Sequence, residues 1–175
     1  MDFGADVETA GVWDPLGFSN GASEEQLYRW RCLEIKHGRV AMLASLGWIA
    51  PELFKLPGKL SISQDLSFAD VPGGFKALEA VPALGWLQIM IFCGLGELSS
   101  AKQKEGGTPG DLALPHLLIR FDEPQKSRRL LMELKNGRLA MLGITGMMVG
   151  DRLSGGVPTL EMTFSDDRAW QMVHF

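Results

Sequence analysis

The sequence predicts an all-α membrane protein of three transmembrane helices. The first and third are expected to cross about a pseudo-twofold axis, and a short amphipathic C-terminal segment follows them. Three observations carry that expectation: three long runs open to helix formation, a lopsided placement of lysine and arginine, and a block of the first run repeated in the third. Composition alone hides it. The 175 residues are 46% hydrophobic and 22% charged with a formal net charge of −4, and the mean hydropathy is +0.05, as in an ordinary single domain. These values exclude a disordered chain, and two cysteines, Cys32 and Cys93, are too few for a disulfide scaffold. The mild negative charge argues against nucleic acid as a partner.

The N-terminus is acidic, with Asp2, Asp6 and Glu8, and has no signal- or transit-peptide pattern. Ser23 and Gln26 form a capping box, after which nothing breaks a helix until Pro51. The first span is therefore expected over about 24–50, the second over 74–102 and the third, opening after Pro124, over 125–153. The apolar stretches inside them, Val40–Ala50, Val81–Gly96 and Leu139–Gly150, are each shorter or more interrupted than the roughly 18 apolar residues of a clean span. Length compensates, because a run of about 27 residues reaches about 40 Å against a hydrocarbon core of about 30 Å. Loops with Pro57-Gly58 and Pro72-Gly73, then Gly106-Gly107 and Pro109-Gly110, join the runs. The tail after Gly155, with acidic residues beside Trp170, Val173 and Phe175, suits a segment lying on the membrane surface. The whole chain, 1–175, is expected to form a single domain.

Three spans put the start of the first, the end of the second and the start of the third on one side. Ten basic residues fall there and five on the other, leaving aside Arg39 and Arg138 inside the repeat. That bias places the N-terminus on the positive side.

Shifting the chain by 99 residues lays Leu33–Leu43 on Met132–Leu142 with seven of eleven positions identical. Such a repeat implies two like helices related by a pseudo-twofold. It also places Glu34, Arg39, Glu133 and Arg138 where a membrane helix should be apolar, at about 2.5–3.5 kcal/mol for each unpaired charge. Glu34 and Arg39 stand five residues apart, outside the i+3 and i+4 rule, and cannot pair within their helix. A crossing of the two helices would pair Glu34 with Arg138 and Glu133 with Arg39. Gly38 with Ala41, and Gly137 with Ala140, leave room for close approach.

Glu34 and His37 stand at i and i+3, and Glu133 and Asn136 repeat the spacing. A carboxylate neutralised by arginine keeps a lone pair and serves as a neutral axial ligand for a hard cation such as Mg²⁺ whose other positions are filled by a porphyrin-type ring. Alone, a Glu-x-x-His is often structural. Half a di-iron carboxylate site is the other reading, but it needs further carboxylates, and the adjacent arginine and Asn136 oppose it.

The blocks Glu34–Ala44 and Glu133–Leu142 resemble the signatures of the chlorophyll a/b- and a/c-binding light-harvesting family. Short loops and Phe54-Lys55-Leu56-Pro57-Gly58 are most similar to its red-lineage branch, the fucoxanthin or peridinin chlorophyll a/c proteins and red-algal antennae. The resemblance implies that Glu34, His37, Glu133 and Asn136 ligate chlorophyll Mg²⁺, with Arg138 and Arg39 as charge partners and Gln88 and Glu97 as ligands on the middle helix. It implies a lipid head group at Lys135 and carotenoid segments at Trp13-Asp14-Pro15-Leu16-Gly17-Phe18 and at Phe121-Asp122-Glu123-Pro124. The second departs from the family's Phe-Asp-Pro-Leu. Gly150 stands where members commonly carry a Gln ligand. His116 and His174 are peripheral candidates.

The implied cofactors are chlorophyll a, chlorophyll c, carotenoids of the fucoxanthin, diadinoxanthin or peridinin type, and thylakoid lipid. The implied role is a plastid thylakoid antenna with a stromal N-terminus that passes excitation energy to a photosystem, photosystem I being a candidate. Its partners would be photosystem core subunits, neighbouring antenna proteins and membrane lipid. No nucleophile–base pair or phosphate loop appears in the sequence, so no enzyme is expected. The alternatives are a photoprotective quencher of the same family and a pigment-free three-span structural subunit.

Overall fold

The computed structural model describes residues 14–99, 103, 104, 106–112 and 123–156. Helix α1 spans Glu24–Leu53, a two-stranded antiparallel hairpin follows with β1 at Lys59–Ser61 and β2 at Leu66–Ser67, and then come α2 at Lys76–Ala80, α3 at Ala83–Leu98 and α4 at Glu123–Ser154. Trp13, His116, Phe121, Asp122, His174 and the amphipathic tail expected beyond residue 156 lie outside the described residues.

The capping box forms: the Ser23 N–H donates to Gln26 Oε1 at 3.1 Å, and the Gln26 N–H to Ser23 Oγ at 3.3 Å. Glu24 and Glu25 then occupy the first turn, where the helix dipole favours them. The other end differs from the expected stop at Pro51, because α1 includes Pro51 and runs to Leu53. A proline costs most in a helix interior; two residues from the end it removes one donor. The Phe54 N–H still reaches the Ala50 carbonyl at 3.0 Å.

The run expected over 74–102 is two helices. Pro82 drives the residue before it out of the helical region, and Val81 adopts φ −78°, ψ 129°, ending α2 at Ala80. The longer piece, α3, has 16 residues and reaches about 24 Å. Helix α4 extends from Glu123 and stops at Gly155 and Gly156, whose φ angles of 73° and 86° a residue with a Cβ adopts only under strain. Among the described residues, no helix is long and apolar enough to cross a membrane. The three apolar spans are therefore not found as such: α1 and α4 have the length but carry the charged block, and α3 has the apolar character but is short.

The chain packs as two compact units, Met1–Val40 with Gly94–Leu139 and Ala41–Cys93 with Ala140–Phe175. In the first, Gly38 and Gly137 meet: a Cβ on either would stand 3.0 Å from the other's Cα. In the second, the buried carboxylate of Asp151, 6% exposed, accepts the Phe75 N–H at 3.1 Å. The Arg152 guanidinium lies 4.4 Å from the centre of the Phe75 ring, and Trp48 meets that ring edge-on at 5.4 Å. Lys55 Nζ bonds the carbonyls of Ala69 and Val71 at 2.8 and 2.7 Å, fastening the loop after the hairpin.

The described part of the protein buries little of its own apolar surface. Ala41 is its one buried hydrophobic residue, while Leu43, Leu46, Phe92, Leu139 and Leu142 are exposed.

Candidate functional site

The site is built where α1 and α4 meet at Gly38 and Gly137. Without side chains at that point the helices approach closely, and the charged residues on either side of the glycines come within reach of the opposite helix. Arg138 Nε donates to Glu34 Oε1 at 2.7 Å, and Arg39 Nε to Glu133 Oε1 at 2.5 Å. Both expected crossed pairs form. All four side chains are partly shielded, with exposures between 28% and 41%, so these pairs are screened less than surface ones.

Among the described residues, a further cation joins the α1 copy and not the α4 copy. Arg31 Nη1 donates to Glu34 Oε2 at 2.5 Å from three residues upstream. The i+3 rule could have found this contact in the sequence; the corresponding position before Glu133 is Leu130.

Beside the carboxylates stand the second donors. The Nδ1–H of His37 donates to the Leu33 carbonyl at 2.8 Å, which fixes the tautomer and leaves the Nε2 lone pair on an exposed ring. Asn136 is likewise exposed and makes no hydrogen bond among the described residues. Each half of the crossing thus presents a charge-compensated carboxylate and a neutral donor one turn apart. Among the described residues no group of three or more His, Cys, Asp or Glu gathers into a metal cage. A single carboxylate, imidazole or amide donor of this kind would suit a metal that brings a ring of its own ligands.

On α3, Gln88 is exposed and makes no hydrogen bond among the described residues, whereas Glu97 Oε2 is held by Lys36 Nζ of α1 at 2.5 Å. That partner was not legible in the sequence, since 61 residues separate the two. Lys135 lies half-buried on α4.

Asp14 acts as a turn-former. Its carboxylate accepts the Ser19 hydroxyl at 2.5 Å and the N–H groups of Ser19 and Phe18 at 2.7 and 3.1 Å. The Ser19 hydroxyl, then the Ser19 and Phe18 amides, hold its pKa below the ordinary aspartate value, against a smaller opposing effect of desolvation. Asp122, its expected counterpart, lies outside the described residues.

The profile of the family described as chlorophyll A-B binding protein matches residues 3–152. The chain is 45% identical over 150 residues to fucoxanthin-chlorophyll a-c binding protein E, chloroplastic, of Macrocystis pyrifera, covering 82% of this chain and 70% of that protein. It is 40% identical over 148 residues to fucoxanthin-chlorophyll a-c binding protein A, chloroplastic, of Phaeodactylum tricornutum, covering 82% of this chain and 75% of the relative. Matches of this extent define a pigment-binding antenna protein and not an enzyme. The chain belongs to the chlorophyll A-B binding protein family.

Proposed function

We propose that the protein is a light-harvesting antenna of the plastid thylakoid membrane that holds chlorophylls on Glu34, His37, Glu133 and Asn136 and, on α3, on Gln88 and Glu97. The observation that carries this reading is the pair of carboxylates neutralised across the α1–α4 crossing, each with an exposed neutral donor one turn away. When bound, chlorophylls supply light absorption and dipole-coupled energy transfer, and carotenoids supply absorption and triplet quenching.

The residues divide the work by charge and shape. Arg138, Arg31 and Arg39 hold the carboxylates in place and offset their charge, so that in an apolar setting Glu34 and Glu133 would be able to hold chlorophyll magnesium. Gly38 and Gly137 set the crossing, and with it the spacing between the two copies. The exposed Leu and Met side chains around the donors exclude water from whatever covers them. Trp30, Trp48 and Trp86 tune the local surroundings, Lys135 takes a lipid head group, and the Asp14 turn carries a carotenoid segment, as Asp122 would at the second.

The finer reading is one domain over 1–175 with three membrane crossings built on α1, on α2 with α3, and on α4, with a stromal N-terminus. Bound pigments and lipid make up for the apolar surface that the polypeptide leaves open. The relatives, named for fucoxanthin and chlorophylls a and c, support chlorophyll a, chlorophyll c and a fucoxanthin-type carotenoid here. The acceptor is a photosystem, photosystem I being the one to test first, with core subunits and neighbouring antennae as partners.

Pigment extraction from the native protein tests the reading: chlorophylls a and c with a carotenoid in fixed ratio are expected, and a colourless protein would overturn it. Fluorescence lifetime separates the two pigment-bearing roles, since a quencher shortens it while an antenna passes its energy to a photosystem. Native purification identifies which photosystem accompanies it.

A further inference from the structure

We propose that Lys36 is the counter-charge of Glu97, and that the pigment held at Glu97 ties α3 to α1. The inference rests on the antenna reading above and deepens it. Lys36 Nζ lies 2.5 Å from Glu97 Oε2, and Glu97 Oε1 accepts no hydrogen bond among the described residues. The arrangement repeats the chemistry of the Glu133 half of the α1–α4 crossing: a carboxylate held through one oxygen by a cation from another helix, with the other oxygen accepting no hydrogen bond among the described residues. Helix α3 contains no lysine or arginine from Ala83 to Leu98, so it cannot supply this charge itself. A pair exposed to about one half on both sides, 47% and 53%, gains little in water. Under a covering ring it becomes the condition for coordination, because a lone carboxylate in an apolar site is expensive.

The surroundings are a formed cleft. It has a volume of about 320 Å³ and is bordered by Arg29, Cys32, Lys36, Arg39, Glu97 and Gln103 among others. Its loop wall is fixed by Gln103, whose Nε2 donates to the Tyr28 hydroxyl at 3.2 Å and the Thr108 carbonyl at 2.9 Å while its Oε1 accepts the Gly110 N–H at 3.0 Å. Tyr28 in turn donates to the Gly107 carbonyl at 2.7 Å. Lys36 is thus a positioning residue, acting on the pigment through Glu97.

The test uses the full chain assembled with chlorophyll a, chlorophyll c and fucoxanthin, and counts chlorophylls per polypeptide alongside absorption difference spectra. Lys36→Met and Glu97→Gln are each expected to lose one chlorophyll and the same absorption band, and Lys36→Arg to retain both. The double variant Lys36→Met with Glu97→Gln should regain the chlorophyll, because a neutral amide oxygen needs no counter-charge. Full pigment content in Lys36→Met, different bands lost in the two single variants, or a double variant as depleted as the singles would each overturn the proposal. Wild-type protein that takes up no chlorophyll would instead overturn the antenna reading itself, an outcome distinct from all of these.

Discussion

At Glu34 two guanidiniums meet one carboxylate, Arg138 across the crossing and Arg31 on the same helix, whereas at Glu133 the bonds among the described residues come from Arg39 alone. The second donors differ too: His37 is oriented by its own backbone bond, and Asn136 has no such tether among the described residues. The repeat is therefore matched in its glycine contact and its crossed pairs but not in the number of guanidiniums at each carboxylate. The α1 carboxylate is bonded by two guanidiniums and the α4 carboxylate, among the described residues, by one.

The largest effect is expected where both copies share a support. A side chain at Gly137, as in Gly137→Leu, would meet the Gly38 backbone, at a cost at or above the roughly 1–3 kcal/mol of overpacking. Chlorophyll should be lost from both copies together; assembly with wild-type pigment content would show that the close approach is not what sets the site.

Next comes the comparison itself. Arg39→Leu strands Glu133, while Arg138→Leu leaves Glu34 with Arg31. Breaking a fully buried pair costs about 3–5 kcal/mol; for these half-shielded groups we expect about 2–3 kcal/mol for Arg39→Leu and about 1 kcal/mol for Arg138→Leu. Thermal unfolding of the pigmented proteins reads the order, and equal losses would mean that Arg31 does not compensate. Adding Arg31→Leu to Arg138→Leu should bring the α1 copy down to the level of the α4 one.

Smaller still, His37→Leu and Asn136→Leu leave every pair intact. Each should remove one chlorophyll, with a shift in thermal midpoint below that of Arg138→Leu. Retained chlorophyll in either would remove that residue from the ligand set.

The smallest effect concerns the Asp14 turn, which serves neither copy. Its folded-state pKa lies below the unfolded value, so its contribution is complete above the ordinary aspartate pKa of about 3.9 and fades as pH falls through the lower, folded one. Protection of the Ser19 amide against hydrogen exchange, relative to the intrinsic rate at each pH, should therefore fall only below about pH 4, and Asp14→Asn should weaken that dependence. An unchanged acid profile in the variant would assign the effect to another group.

The repeated block was readable because its signal is local and chemical. Eleven residues with two carboxylates and two arginines at fixed offsets cannot sit unpaired in an apolar helix, and pairing within the helix is barred by the five-residue spacing. The crossing follows from that alone. Arg31 was equally readable through its i+3 spacing. Lys36 and Glu97 were not, because nothing near either residue specifies the other.

The middle region shows the same boundary between local and distant information. Hydropathy alone favours a continuous run over 74–102, but Pro82 acts on Val81 through a steric contact between adjacent residues, and the helix divides there. Pro51 is the reverse case, tolerated because only the last turn loses a donor.

By itself the sequence determined the family, the crossed pairs and the donors at i and i+3, since each rests on short-range geometry or on the cost of unpaired charge. Tertiary structure alone decided which cation reaches Glu97 and how Asp151 seals the turn before α2. Those contacts join residues tens of positions apart, and their existence depends on where whole helices come to lie.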